Sequence, residues 1–183
     1  PMMCTVSAAN VMKEPGHKLE LHTQLLFGDT VQELERQGAW SRIRIDWDQY
    51  EGWVLSGQLE PVSDQDLAAE PVAILRSGWR LGYDTAGIRE LFPATRCGAK
   101  ILTQAESGKA IPEQLLLPLA PKTISEELVR DLLSVYLYAP YMWGGNTPAG
   151  IDCSGLSQML YRFFNIRLPH YASEQMEFGV TLD

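Results

Sequence analysis

The stretch that decides the fold is Tyr141-Met142-Trp143-Gly144-Gly145-Asn146-Thr147-Pro148-Ala149-Gly150-Ile151-Asp152-Cys153-Ser154-Gly155-Leu156. It is a glycine-rich loop that turns into a helix near Cys153. Leu156, Met159, Leu160, Phe163 and Phe164 then recur at helical spacing and form one apolar stripe, which Asn165 ends. The loop Leu168-Pro169-His170-Tyr171 leads to a short helix around 173–178, stopped by Gly179. On the other side, Thr123 with Glu126 reads as a capping box. Leu128, Leu132 and Val135 follow at helical spacing, predicting a helix over 125–138 closed by Pro140.

Cys153 opens its helix, where the macrodipole and free amide N–H groups favour thiolate over thiol. Thiolate is the nucleophile. The same amides can donate to an oxyanion, and the flanking glycines let backbone and substrate approach closely. The other two cysteines, Cys4 and Cys97, read as small buried apolar residues. Three widely spaced cysteines make neither a disulfide framework nor a CxxC metal pattern.

The chain before this stretch has a different character. Over residues 1–62, short β-prone runs alternate with turns such as Glu14-Pro15-Gly16-His17, Gly28-Asp29 and Gln37-Gly38. Arg42 and Arg44 alternate with Ile43 and Ile45, a period of two, and 46–49 reads as a polar hairpin tip. Close spacing of short strands predicts a small barrel or sandwich. Residues 63–121 look similar but less regular: a polar linker at 63–66, then β-prone runs at Val72-Ala73-Ile74-Leu75, Leu91-Phe92-Pro93, Ile101-Leu102 and Leu115-Leu116-Leu117.

The chain has 183 residues, enough for two or three small units, and is 45% hydrophobic. Its 15 Lys and Arg against 23 Asp and Glu give a net charge of -8, which excludes nucleic acid or an anionic membrane surface as the main partner. No apolar run reaches the roughly 18 residues of a membrane span.

The run Tyr141-Met142-Trp143-Gly144-Gly145, then Gly150-Ile151-Asp152-Cys153-Ser154-Gly155-Leu156, then Leu168-Pro169 and Gln175, resembles the NlpC/p60 family of cell-wall cysteine peptidases. The run 14–21, with Gln24-Leu25-Leu26-Phe27-Gly28 and Gly52-Trp53-Val54, resembles the bacterial SH3-like domains fused to its γ-D-glutamyl-diamino-acid endopeptidases (dipeptidyl-peptidase VI type). The resemblance implies an α+β chain: an SH3-like barrel at 1–62, a second degenerate barrel or β-rich linker domain at 63–121, and the helical N-terminal half of a papain-like domain at 122–183. It also implies that Cys153 attacks the γ-D-Glu carbonyl of wall peptides with a free N-terminal L-Ala. Tyr141 would stand near the thiol, while Asp152 and Ser154 would hold the substrate amine and Glu14 and Tyr50 would wall that pocket. No metal or organic cofactor is implied, and a recycling enzyme would be cytoplasmic whereas a wall enzyme would be exported.

Two departures bear on activity. His170, followed by Tyr171, stands where the family usually has Arg after Leu-Pro. The family's base is a His on a strand well beyond the Cys helix, whereas here only His170 follows Cys153, and His17 and His22 lie in the front unit. The chain is therefore expected to be a fragment with little hydrolytic activity alone, and the stripe on the Cys helix is expected to lack its sheet partner. The competing readings are a non-catalytic muropeptide- or wall-binding protein with a vestigial peptidase domain, and an acyltransferase or amidase on the same core.

Overall fold

A computed structural model describes residues 1–63, 71–84, 87–98, 111–119 and 123–180. The run Ile101-Leu102 and most of the polar linker lie outside them.

The front unit is one antiparallel sheet. Its strands are β1 (Met2–Cys4), β2 (Ala8–Met12), β3 (Leu21–Leu26), β4 (Thr30–Gln37), β5 (Trp40–Ile45), β6 (Glu51–Leu55) and β7 (Leu59–Pro61), in the order β3-β2-β6-β5-β4-β1-β7. Strict alternation along β5 puts Ser41, Ile43 and Ile45 inside and Arg42 and Arg44 outside. Ser41 is tolerated there because its hydroxyl meets Glu33 at 2.6 Å and Ser56 at 2.7 Å. Cys4, Ala9, Val11, Leu25, Val31, Ile43 and Val54, none of them exposed, fill the core. The turn at 46–49 is not simply polar, since Trp47 is buried against that core.

Among the described residues the pairing does not confirm the expected SH3-like barrel, since the sheet does not close. β3 and β7 are edges, and β2 meets β6 at a single pair, Met12 with Trp53. The physical reason lies at β3. Its outer side is covered by a polar loop from the last third of the chain, described below, so it needs no further strand.

Between 71 and 119 the described residues form two small pieces. β8 (Ala73–Leu75) is the middle of a three-stranded sheet with β11 (Arg96–Cys97) and β12 (Leu116–Pro118), while β9 (Trp79–Asp84) and β10 (Gly87–Leu91) make a hairpin. Ile74, Leu75, Leu91 and Cys97 are fully buried.

The last segment carries α1 (Glu126–Ser134), α2 (Cys153–Phe163) and α3 (Ala172–Gln175), the last running into a 3-10 turn at Met176–Phe178. α1 is capped by Ser125 rather than Thr123: Ser125 Oγ accepts from Leu128 N at 3.2 Å. It also stops at Ser134, short of Pro140, and turns fill the gap. α2 starts at Cys153 as expected, and Asn165 at φ 58° reverses the chain beyond its end. The stripe on α2 is not left bare. Met159 and Phe163 are buried with Leu26, Ile74, Ala94, Leu117, Leu132, Tyr136 and Ile151, so the front sheet, the middle sheet and α1 cover it, while Leu156 is only partly buried.

Candidate active site

Cys153 is the first residue of α2, and its side chain is exposed. The turn that presents it is built around Asp152. The Asp152 carboxylate is buried and accepts from Gly155 N at 2.7 Å, from Ser154 Oγ at 3.0 Å and from Gly144 N at 2.7 Å. One carboxylate thus caps the helix and pins the glycine loop to it. Gly144 has φ +73°, and a Cβ there would lie 2.6 Å from Leu21 O, so only glycine lets the loop meet β3 so closely. A Cβ on Gly155 would lie 2.3 Å from Gly145 O.

The loop is bonded to the edge strand β3. Asn146 Nδ2 donates to Thr23 Oγ1 at 3.0 Å and to Gln24 O at 2.9 Å, and Asn146 N donates to Gln24 Oε1 at 3.0 Å. Further along α2, Gln158 Nε2 donates to Asp48 Oδ2 at 3.0 Å and to Leu168 O at 3.1 Å. The Arg162 guanidinium pairs with Asp29 and donates from Nε to Ala94 O at 2.9 Å. It also sits 5.3 Å over the Trp47 ring. Gly155, Gln158 and Arg162 are all buried, so α2 turns a polar stripe to the front unit and an apolar stripe to the opposite core. Burial holds the Asp48 carboxyl above its ordinary range, although hydrogen bonds from Tyr50 N and Gln158 pull it back down.

Beside this turn, four rings meet across the same seam. Tyr50 OH is hydrogen-bonded to His22 Nδ1, and Tyr171 OH lies 3.5 Å from that nitrogen. The His170 ring is 4.5 Å from Tyr50 and 6.2 Å from His22, centre to centre. Glu20 Oε2 is 3.5 Å from His22 Nε2. Burial, then the neighbouring His22, lower the His170 pKa, while Asp152 and Glu174 oppose the shift. Gln175 ties the His170 loop to the start of α2, donating to Ser154 O at 3.1 Å and to Pro169 O at 3.0 Å.

The structure therefore places Tyr50, Asp152 and Ser154 along one seam with the exposed Cys153. Tyr141 is 69% exposed, its backbone bridged to Ile151. Glu14 is exposed on the turn after β2, and the carboxylate beside His22 is Glu20. His17 packs against Trp40. Among the described residues, no group of three or more His, Cys, Asp or Glu could hold a metal ion. Sequence reasoning missed His22, Tyr171, Gln158, Arg162 and Asn146 as seam residues. Two signals were available: three consecutive polar residues, His22-Thr23-Gln24, inside a strand, and polar residues at helical spacing from Gly155.

Residues 11–59 match the bacterial dipeptidyl-peptidase Sh3 domain, and residues 138–182 match the NlpC/P60 family. The chain thus carries a stretch similar to that Sh3 domain ahead of a stretch similar to the NlpC/P60 family. It is 25% identical over 195 residues to a gamma-D-glutamyl-L-lysine dipeptidyl-peptidase of Bacillus cereus, covering 90% of this chain and 56% of that protein. A Bacillus subtilis protein of the same name is 26% identical over 179 residues, covering 89% of this chain and 60% of that one. The chain thus spans somewhat over half the length of these relatives. An NlpC/P60 family protein from Bacillus cereus has the same fold, with a TM-score of 0.79 at 17% identity over 100% of this chain and 78% of that one. No helix among the described residues is long and apolar enough to cross a membrane.

Proposed function

We propose that this chain belongs to a cysteine peptidase that cleaves the γ-D-glutamyl-diamino-acid bond of peptidoglycan stem peptides with a free N-terminal L-Ala. The observation that carries the reading is the exposed Cys153 thiol on the rim of a seam lined by Tyr50, His22 and His170. A seam between the front sheet and the loop that follows the Cys helix suits a short peptide whose end must be measured.

In this reading the Cys153 sulfur attacks the γ-carbonyl, and the carbon–nitrogen bond to the diamino acid breaks. The departing amine takes a proton, and a thioester to L-Ala-γ-D-Glu remains. Water then releases the dipeptide and restores the thiol. The free amine of L-Ala lies against Tyr50 and Ser154. Asp152 supplies negative charge there but spends its hydrogen bonds on Gly144, Ser154 and Gly155, so its larger role is to hold the turn. Tyr141 flanks the thiol from the exposed side.

Among the described residues no imidazole nitrogen is hydrogen-bonded to the Cys153 sulfur, and His22 and His170 are engaged with Tyr50 and Tyr171. The 183-residue chain is therefore slow on its own. Incubation with L-Ala-γ-D-Glu-diaminopimelate and with the L-Lys peptide tests this. The expected result is trace release of L-Ala-D-Glu, abolished by Cys153→Ala and by N-acetylation of the substrate. Release that survives Cys153→Ala contradicts the nucleophile. Rapid turnover contradicts the slow chain, and tight binding with no release supports the wall-binding reading instead.

A further inference from the structure

The reading above uses His22 only as a lining residue, yet it is placed to decide what the pocket accepts. It is 9% exposed, and its ring lies between a carboxylate and two phenols. Nε2 faces Glu20 Oε2 at 3.5 Å. A proton on Nε2 is favoured by that carboxylate, which leaves Nδ1 as an acceptor. Tyr50 O–H then donates to Nδ1. A hydroxyl whose proton is committed in this way presents only lone pairs to the rest of the pocket.

We infer that His22 is a positioning residue that makes Tyr50 a hydrogen-bond acceptor for a ligand ammonium, and that protonation of His22 reverses this. The inference rests on the reading of the seam as an amine pocket. A doubly protonated imidazole must donate from Nδ1, so it occupies a lone pair on Tyr50 and turns the phenolic proton outward, toward the ligand. The pocket then presents a donor and a positive charge where it had presented an acceptor, and the ammonium is rejected.

The charged and titratable groups around His22 and its neighbour His170 come from every element at the seam. Glu20 precedes β3, and Asp48 and Tyr50 lie on the turn between β5 and β6. His170 and Tyr171 lie on the loop after α2, Asp152 caps α2, and Glu174 lies in α3. His170 adds a second imidazole 6.2 Å away, and a charge on His22 disfavours a proton on His170. The carboxylates Asp152 and Glu174 act the other way on His170, and Glu20 lies beside His22. The selective element is therefore the direction of the His22–Tyr50 hydrogen bond rather than the net charge of the pocket.

The test is calorimetric binding of the dipeptide L-Ala-γ-D-Glu to the 183-residue chain from pH 7.5 to 5.5, with N-acetyl-L-Ala-γ-D-Glu as the uncharged control. Wild type should lose about tenfold in affinity over this range, the scale of one hydrogen bond to a charged group, and the acetylated control should bind weakly throughout. His22→Gln keeps an acceptor for Tyr50 but cannot titrate, so it should bind at pH 7.5 and lose most of the pH dependence. His170→Gln should keep most of it. If His22→Gln fails to fold, Tyr50→Phe serves: it should bind about tenfold more weakly at pH 7.5 and change little on acidification. A His22→Gln or Tyr50→Phe profile that follows wild type overturns the role of His22 while leaving the pocket intact. Absence of dipeptide binding at every pH overturns the amine pocket, and the role of His22 with it.

Discussion

Helix α2 is buried on two sides by different physics. On one side Met159 and Phe163 sit in an apolar core with residues from the front sheet, the middle sheet and α1. On the other, Gln158 bonds to Asp48 and Arg162 to Asp29 of the front unit, and Arg162 also to Ala94 O of the middle piece. Apolar packing is non-directional and tolerates small shifts. A guanidinium shared between Asp29 and Ala94 O does not. The apolar side therefore supplies stability, while the polar side fixes where Cys153 stands relative to Tyr50 and His22.

The largest expected effects compare these sides directly. Arg162→Ala leaves Asp29 buried without its partner and should cost about 3–5 kcal/mol in urea unfolding. Phe163→Ala should cost about 3–5 kcal/mol through the cavity it leaves. The two differ in rescue. Replacing both Asp29 and Arg162 by apolar residues should recover most of the loss, but should also loosen the register of α2 against the front sheet. A cost below about 1 kcal/mol for Arg162→Ala, the size typical of an exposed pair, would break the comparison.

Gly155→Ala comes next. Its Cβ would fall 2.3 Å from Gly145 O, so the loop must move, at about 1–3 kcal/mol. Thermal melting should show this loss together with slower labelling of Cys153, because the moved loop carries the turn with it. A Gly155→Ala chain as stable as wild type would mean that α2 does not pack this closely.

Gln158→Leu should cost a similar or smaller amount, about 1–3 kcal/mol, since Asp48 and Leu168 O lose their donor. Replacement of the leucine neighbour Leu160, only partly buried, should cost less than Gln158→Leu in the same unfolding assay.

The smallest effect is in pH dependence. Burial lowers the His170 pKa below the ordinary 6.5, so the unfolded chain takes up this proton first as pH falls. The contribution is fully present above that value and is lost as pH falls through it toward the folded pKa. The stability difference between wild type and His170→Gln should therefore narrow or reverse on acidification from pH 7.5 to 5. A constant difference would show that His170 is not desolvated at the seam. Asp48 acts in the opposite sense: its raised pKa penalises the ionised form, and this penalty is relieved as pH falls toward 3.8.

The apolar side of α2 was legible in the sequence because Leu156, Met159 and Phe163 follow helical spacing. The start of α2 was legible because the glycine-rich loop gives way near Cys153 to helical spacing, although the cap itself, Asp152, was not read. The polar side was not, because Gln158 and Arg162 at helical spacing look the same whether they face water or Asp48 and Asp29. Their partners lie more than a hundred residues away, and no local pattern marks such pairs. Thr123 in place of Ser125 as a cap was a local ambiguity between two hydroxyl residues on either side of Ile124, decided by which oxygen reaches Leu128 N. The open front sheet escaped notice for the same reason as the polar side: what covers β3 is Asn146, a distant side chain. His22 was passed over because one histidine in a strand carries no signal until Tyr50, His170 and Tyr171 are seen around it.

The central claim is that Cys153 is an accessible nucleophile beside a seam between the front sheet and the loop that follows α2. Mass-spectrometric labelling of the native chain with a thiol-reactive epoxide, with and without L-Ala-γ-D-Glu, tests it most directly. Cys4 and Cys97 are fully buried and their thiols are pushed up to about 12 by burial, so Cys153 alone should react at neutral pH. The dipeptide should slow that reaction. Modification of Cys153 no faster than of Cys4 and Cys97, or at a rate the dipeptide leaves unchanged, would contradict the account.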